Sequence, residues 1–213
     1  MISNLHYISQ QTNSADHTDN IKAACDAGCN WIQLRIKHTT PEAIMPAALA
    51  AKKICDSYQA KLIINDYPQI AKAVEAHGVH VGKNDMTVAA ARAITGPGFI
   101  IGGTSNTLAD ILQHVKDQAD YVGLGPYRFT TTKEKLSAIL GLEGIAHIVQ
   151  QLKEQGITIP VVAIGGILLE DIPALQAAGV HGVAVSGLIT SAVNRQQVVR
   201  RIYESLNPLN YQS

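Results

Sequence analysis

In the run Trp31-Ile32-Gln33-Leu34-Arg35-Ile36-Lys37, polar and apolar residues alternate. In an extended chain that spacing puts Gln33, Arg35 and Lys37 on one side and Ile32, Leu34 and Ile36 on the other. Two cations on the inner side of a strand are isolated buried charges unless an anion meets them. The plainer alternative is a surface strand with salt bridges, which adds little stability. Asn65-Asp66 closes a later apolar run, and Asp85 closes the segment after the next one. Either aspartate alone reads equally well as a helix N-cap. Together, two carboxylates at adjacent strand ends beside Arg35 and Lys37 point to a hard-cation site, because Mg²⁺ takes one or two carboxylates plus phosphate oxygens and water.

A second group lies further along the chain. The long stretch from Pro126 to Leu142 contains Arg128-Phe129-Thr130-Thr131-Thr132-Lys133-Glu134-Lys135. Loops of this length inside a compact domain are functional or disordered. Three hydroxyls followed by a lysine suit a phosphate, or are simply solvated. Gly165-Gly166 and Ser186-Gly187 end two later apolar runs, and glycine lets backbone N–H groups come close to an anion. The eight histidines show no metal-ligand spacing, and His80, inside GVHVG, reads as a hydrogen-bonded core residue. There is no Ser-His-Asp spacing and no evidently activated cysteine. The composite is one site for two phosphorylated small molecules, at least one of them metal-bound.

Such chemistry needs a frame that gathers distant residues. Eight short apolar runs recur: LHYIS at 5–9, WIQLR at 31–35, KLIIN at 61–65, GVHVG at 78–82, FIIGG at 99–103, DYVGLG at 120–125, PVVAIGG at 160–166 and GVAVSG at 182–187. They are rich in Val and Ile and end in Gly, Asn or a charge, as buried parallel strands do. Between them the pattern predicts helices over Asp19–Ala27, Glu42–Tyr58, Pro68–Ala76, Thr87–Ile94, Thr107–Gln118, Glu143–Glu154, Glu170–Ala177 and Gln196–Leu206. Gly28, Gly78 and Gly179 read as helix C-caps, and Thr40-Pro41-Glu42 as a start signal. Eight strand–helix alternations without a linker predict a compact single-domain α/β fold, a (β/α)8 TIM barrel over residues 1–213, with a long mobile loop at about 126–142. A doubly wound sheet is the competing layout, but it needs a strand order that eight similar units do not supply. In a barrel, every polar strand end above meets at the C-terminal mouth.

Composition bounds the rest. The chain has 213 residues, 46% hydrophobic and 16% charged. A chain of that size buries roughly 70% of its unfolded surface, enough for one full core and too apolar for disorder. Seventeen basic and seventeen acidic residues cancel, which argues against a nucleic-acid partner and against a polybasic membrane-surface binder. The longest apolar stretch, Val161 to Leu169, is too short to span a bilayer, and MISNLHYISQ has no signal-peptide pattern. Cys25, Cys29 and Cys55 are odd in number and lack a C-x-x-C pair. A disulfide framework or zinc site is not expected, and the cytoplasm is the expected compartment. Oligomeric state is left open, a homo-oligomer included.

The whole chain, from LHYIS to GVAVSG, resembles the thiamine-phosphate synthase family. QLRIK, IIND, GVHVGKND, the FTTTK loop with its GLEG continuation, and PVVAIGGI carry the resemblance in order and spacing. It implies a transferase that joins 4-amino-2-methyl-5-hydroxymethylpyrimidine diphosphate to a thiazole phosphate, or its carboxylated form, releasing pyrophosphate. By the same resemblance Gln33, Arg35, Lys37, Asn65 and Lys133 would hold the pyrimidine diphosphate, Arg35, Lys37 and Lys133 acting catalytically. Asp66 and Asp85 would coordinate Mg²⁺. Thr130, Thr132, Gly166 and the Ser186-Gly187 turn would hold the thiazole phosphate, and the substrate-binding set also takes in Leu34, Ile36, Thr104 and Thr131. The chain departs from the pattern at Lys83, where the family usually has Gln, and at Thr104, where it usually has Ser. Its VSG ending, where many members place a Ser one residue later, leaves the thiazole phosphate more dependent on backbone N–H groups.

Two rival functions remain at this stage. A thiazole tautomerase would share the barrel but need one acid–base residue and a single phosphate site. A non-catalytic sensor of thiamine-pathway phosphates would bind without turnover. Retention of Arg35, Lys37, Asp66, Asp85 and Lys133 favours the synthase.

Overall fold

The structure, a computed structural model, describes residues 1–83, 85–129 and 138–207. Strands β1 (Leu5–Ile8), β2 (Trp31–Leu34), β3 (Lys61–Asn65), β4 (Gly78–Val81), β5 (Ile100–Ser105), β6 (Tyr121–Leu124), β7 (Val161–Ile164) and β8 (Gly182–Val185) follow one another around a closed parallel barrel. Parallel pairing of β1 with β8, Leu5 opposite Val183, closes it. Helices α1 (His17–Asp26), α2 (Pro41–Ser57), α3 (Pro68–Ala73), α4 (Val88–Thr95), α5 (Leu108–Lys116), α6 (Gly141–Glu154) and α7 (Ile172–Ala177) alternate with the strands. A four-residue α8 (Gly187–Thr190) and α9 (Arg195–Leu206) follow β8. The barrel is thus the expected (β/α)8 fold, and the expected helix over Glu170–Ala177 is a single 3₁₀ turn followed by α7.

Period-two alternation builds two cores. Outward residues such as Ile32, Leu34, Leu62, Ile64, Val79, Ile101 and Val122 pack beneath the helices in one buried cluster. Inward residues Ile8, Trp31, Ile63, Tyr121, Val162 and Ala184 form a second cluster inside the barrel. Each Val, Leu or Ile among them stabilises the fold by about 1.5–3 kcal/mol on burial, so a register slip that exchanged the faces would be heavily penalised.

Local signals set the element ends. Helix α1 starts earlier than its apolar pattern because Asp16 accepts the Thr18 and Asp19 N–H groups as a capping box. Thr40 caps α2, with Pro41 in its first turn. Gly28 and Gly179, at φ 102° and 91°, terminate helices as expected. Gly78 does not. It opens β4, and a Cβ there would lie 2.2 Å from the Ile100 carbonyl oxygen, so its small size serves strand packing rather than a cap. Cys25, Cys29 and Cys55 are buried free thiols. Among the described residues no helix is long and apolar enough to cross a membrane.

Candidate active site

Strand β2 ends at Leu34 because the next N–H, that of Arg35, donates to the Ser9 hydroxyl at 3.1 Å instead of continuing the ladder. Gln33 points into the barrel, is 4% exposed, and donates to Asn65 Oδ1 at 2.8 Å. Asn65 in turn donates to Asp66 Oδ2. The Leu34 side chain lies in the outer core and Ile36 packs against it, so what those two residues offer a ligand is backbone.

Lys37 does not stand alone as a buried cation. Its Nζ contacts Asp66 Oδ2 and lies 3.7 Å from Asp85 Oδ2. The sequence expectation of cations awaiting an anion is corrected here: the adjacent strand ends supply carboxylates first. Asp66 adopts a left-handed backbone, φ 64°, and its Oδ1 accepts the Gly82 N–H at 3.0 Å. Glycine at position 82 leaves room for this arrangement, since a Cβ there would lie 2.2 Å from Asp85 Oδ2 and 3.3 Å from Asp66 Oδ1 and would displace the carboxylates. Neither aspartate caps a helix: Tyr67 is the N-cap of α3 and Thr87 that of α4. The capping alternative falls, and the two carboxylates face one site.

Electrostatics shows how crowded the site is. Burial, and then the neighbouring Asp66 carboxylate, push the Asp85 carboxyl above the usual range, against the pull of Lys37. Burial lowers the Arg35 guanidinium, while Asp66 and Asp85 act the other way. Two carboxylates and two cations sum to zero, so an incoming diphosphate brings uncompensated negative charge. A hard divalent cation fits this donor set. Among the described residues no group of three or more His, Cys, Asp or Glu side chains gathers as a metal site, here or elsewhere, so the protein offers two carboxylates and a ligand would supply the rest. Lys83, the departure beside Asp85, turns away and pairs with Asp110 at 2.9 Å, anchoring the loop to the start of α5.

The floor below these groups is built from β4, β5 and β6. Thr104 Oγ meets His80 Nε2 at 3.0 Å, and His80 Nδ1 meets the Tyr121 hydroxyl at 3.0 Å. His80 is therefore the hydrogen-bonded core residue expected.

The opposite side of the mouth is made mostly of backbone. After β6, Tyr127 N donates to Ile164 O and Arg128 N to Gly165 O, both at 2.8 Å, which joins the long loop to the end of β7. Arg128 forms a two-point pair with Asp171, at 2.8 and 2.9 Å, and also donates to Gly166 O at 2.7 Å. Burial opposes ionisation of Asp171, but Arg128 and the Leu168 N–H outweigh it and hold the carboxyl below the usual range. Leu140 N and Gly141 N donate back to Pro126 O and Tyr127 O, closing the base of the loop. Gly165 and Gly166 have φ of 101° and 66°, and a Cβ at Gly166 would lie 2.8 Å from Phe129 O. The Ser186 hydroxyl donates to Gln10 Oε1 at 2.8 Å, while Gly187 has open space around it. Thr130, Thr131, Thr132 and Lys133 lie outside the described residues, within 130–137 of the long loop expected to be mobile.

Sequence reasoning missed Arg128, Asp171, Ser9, Gln10 and Tyr121. Arg128 stood in the quoted loop motif, but nothing in its spacing names Asp171 as partner. The inward glycines of FIIGG and DYVGLG were the available signal for a bulky neighbour such as Tyr121.

Comparison with known proteins agrees with this geometry. The profile described as thiamine monophosphate synthase matches residues 5–189. A thiamine-phosphate synthase of Bacteroides fragilis is 48% identical over 198 residues, 93% of this chain and 97% of that one. One from Flavobacterium johnsoniae is 47% identical over 206 residues, covering 97% of each. Among solved structures, a thiamine phosphate pyrophosphorylase from Pyrococcus furiosus superposes with a TM-score of 0.82 at 28% identity, covering 96% of both chains. With its barrel, its mouth residues and these relatives, the chain belongs to the thiamine-phosphate synthase family, enzymes of the transferase class.

Proposed function

We propose that this chain joins the aminopyrimidine diphosphate to the thiazole phosphate, giving thiamine phosphate and pyrophosphate through a dissociative, carbocation-like substitution. The observation that carries the reading is the convergence of Arg35, Lys37, Asp66 and Asp85 at one end of a closed barrel. Gln33 and Asn65, locked to each other, orient the diphosphate-bearing ring. Arg35 and Lys37 hold diphosphate oxygens whose charge grows as the C–O bond breaks, so their contacts strengthen toward the transition state. Lys133 joins them in this reading. Asp66 and Asp85 would hold a Mg²⁺ ion, which when bound would supply further charge stabilisation for the departing diphosphate, and Lys37, released from the two carboxylates, would bind diphosphate oxygens. Gly166 and the Ser186-Gly187 turn receive the thiazole phosphate through backbone N–H groups, consistent with a Ser186 hydroxyl that already donates to Gln10. The thiazole nitrogen is itself the nucleophile, so the protein supplies none. It places that nitrogen beside the cationic carbon and keeps water away.

The test is pyrophosphate release, measured with each substrate alone and with both, alongside calorimetry for each. Release only with both substrates is the expected result. Binding without release makes the chain a sensor, and thiazole isomerisation without release makes it a tautomerase; either outcome overturns the reading.

A further inference from the structure

The barrel interior carries a row of polar groups that the proposed chemistry does not explain. Tyr121 is 1% exposed and His80 6% exposed. Two inward glycines make room for them. A Cβ at Gly102 would lie 2.2 Å from the Tyr121 ring, and one at Gly123 would lie 3.3 Å from His80 Cε1. The interior has given up two side chains to seat one histidine and one tyrosine, whose rings lie 5.5 Å apart. Apolar residues would fill that space without a polar-group cost, so the polar atoms themselves are the feature to account for.

Their hydrogen-bond directions can be deduced. The Tyr121 hydroxyl is buried, and burial raises its pKa, so it keeps its proton. Among the described residues its hydrogen-bond partner is His80 Nδ1, at 3.0 Å. Were Nδ1 protonated, the Tyr121 O–H would be left buried without an acceptor, a costly arrangement. Nδ1 is therefore the acceptor, and the proton of the neutral ring sits on Nε2. Nε2–H then donates to Thr104 Oγ at 3.0 Å. A threonine hydroxyl offers one donor and two lone pairs; His80 takes one lone pair and leaves the O–H to donate elsewhere.

We propose that His80 is a positioning residue that acts through Thr104, fixing that hydroxyl as a hydrogen-bond donor toward an acceptor atom of the pyrimidine substrate. The direction runs Tyr121 to His80 to Thr104 to ligand. The acceptor is an unprotonated ring nitrogen or a diphosphate oxygen. The inference rests on the proposed function for the identity of the ligand, and on geometry alone for the tautomer.

The test combines one spectroscopic and one kinetic readout. Ring ¹⁵N NMR of His80 in the ligand-free protein should show the neutral Nε2–H tautomer; a dominant Nδ1–H form or a charged ring overturns the proposal. Kinetically, Thr104→Val should lose about five- to 150-fold in kcat/KM, the cost of one unmet buried polar partner. His80→Asn keeps an atom near Nδ1 but none at Nε2 and should lose activity within the same range, whereas His80→Gln, with an amide near Nε2, should recover part of it. In the Thr104→Val background, His80→Asn should cost less than about twofold more, because residues acting through one contact are non-additive. Fully multiplicative losses overturn the proposal. Should the His80 variants fail to fold, Tyr121→Phe removes only the hydroxyl and should release Nδ1–H tautomer into the spectrum; an unchanged spectrum counts against the relay. Binding of 4-amino-5-hydroxymethyl-2-methylpyrimidine and of inorganic pyrophosphate to Thr104→Val identifies the acceptor by which one weakens, and no weakening of either overturns the proposal. Wild-type protein without turnover would remove the proposed function while leaving the tautomer result to decide this inference.

Discussion

In the proposed reading the two halves of the barrel mouth meet the same physical problem, holding an anionic group at strand ends, in different ways. The β2–β4 half uses side-chain charge: Lys37 between Asp66 and Asp85, with Arg35 beside them. The β6–β8 half uses backbone, with left-handed glycines at 165 and 166 and a long loop tied to β7 through Tyr127 and Arg128. Among its described residues the strong ion pair of Arg128 with Asp171 braces two loops against each other. The difference teaches that charge balance decides the first half and shape decides the second. A charged cluster summing to zero responds steeply to loss of one member, whereas a backbone cradle tolerates side-chain changes that leave its loops in place.

The largest expected effect follows from removing a carboxylate from the charged half. Asp66→Asn or Asp85→Asn should reduce turnover about 100-fold or more, measured at a temperature where circular dichroism shows the variant folded, since each removes a candidate metal ligand. Near-parental rates in both variants at limiting Mg²⁺ would erase the distinction between the halves. In the backbone half the matching perturbation is indirect. Asp171→Asn keeps the shape but loses the charge facing Arg128, and should raise KM for the thiazole phosphate several-fold with pyrimidine diphosphate binding unchanged. Equal weakening of both substrates would mean that the brace serves the whole mouth.

A third change should weaken both halves alike, because it lies beneath them. His6 is 1% exposed and stacks on Trp31 at 4.4 Å. Burial lowers its pKa from 6.5 to about 3. The unfolded chain therefore binds a proton that the folded chain refuses between those values, so stability falls as pH drops through that window. The slope from this one group is about 1.4 kcal/mol per pH unit. Denaturant midpoints measured from pH 7 to pH 4 should fall in the parent and fall less steeply in His6→Gln. The smallest effect belongs to Lys83, whose pair with Asp110 is partly exposed. Lys83→Gln should leave turnover within about twofold, as exposed ion pairs contribute little. A large loss would place Lys83 in the charged half after all.

Much of the frame was legible in the sequence because parallel strands buried on both faces read as Val- and Ile-rich runs, and all eight runs coincide with strands. The polar alternation through Gln33 also held, since the strand period dictates facing. What could not be read was pairing across the chain. Lys37 and Asp66 meet because β2 and β3 are neighbours, and only the closed barrel brings Arg128 to Asp171, 43 residues away. Gly78 looked like a cap because an Ala-rich helix precedes it, yet contact with Ile100 on β5 decides its identity. The aspartates looked like caps for a similar local reason, and tertiary geometry turned them toward the mouth.

The central claim is that the charged half takes a diphosphate together with a divalent cation, and titration of inorganic pyrophosphate by calorimetry tests it most directly. With Mg²⁺ present the parent protein should bind pyrophosphate at one site, and omission of Mg²⁺ or the Asp66→Asn change should abolish that binding. Pyrophosphate binding of equal strength without Mg²⁺, and in Asp66→Asn, would contradict the account.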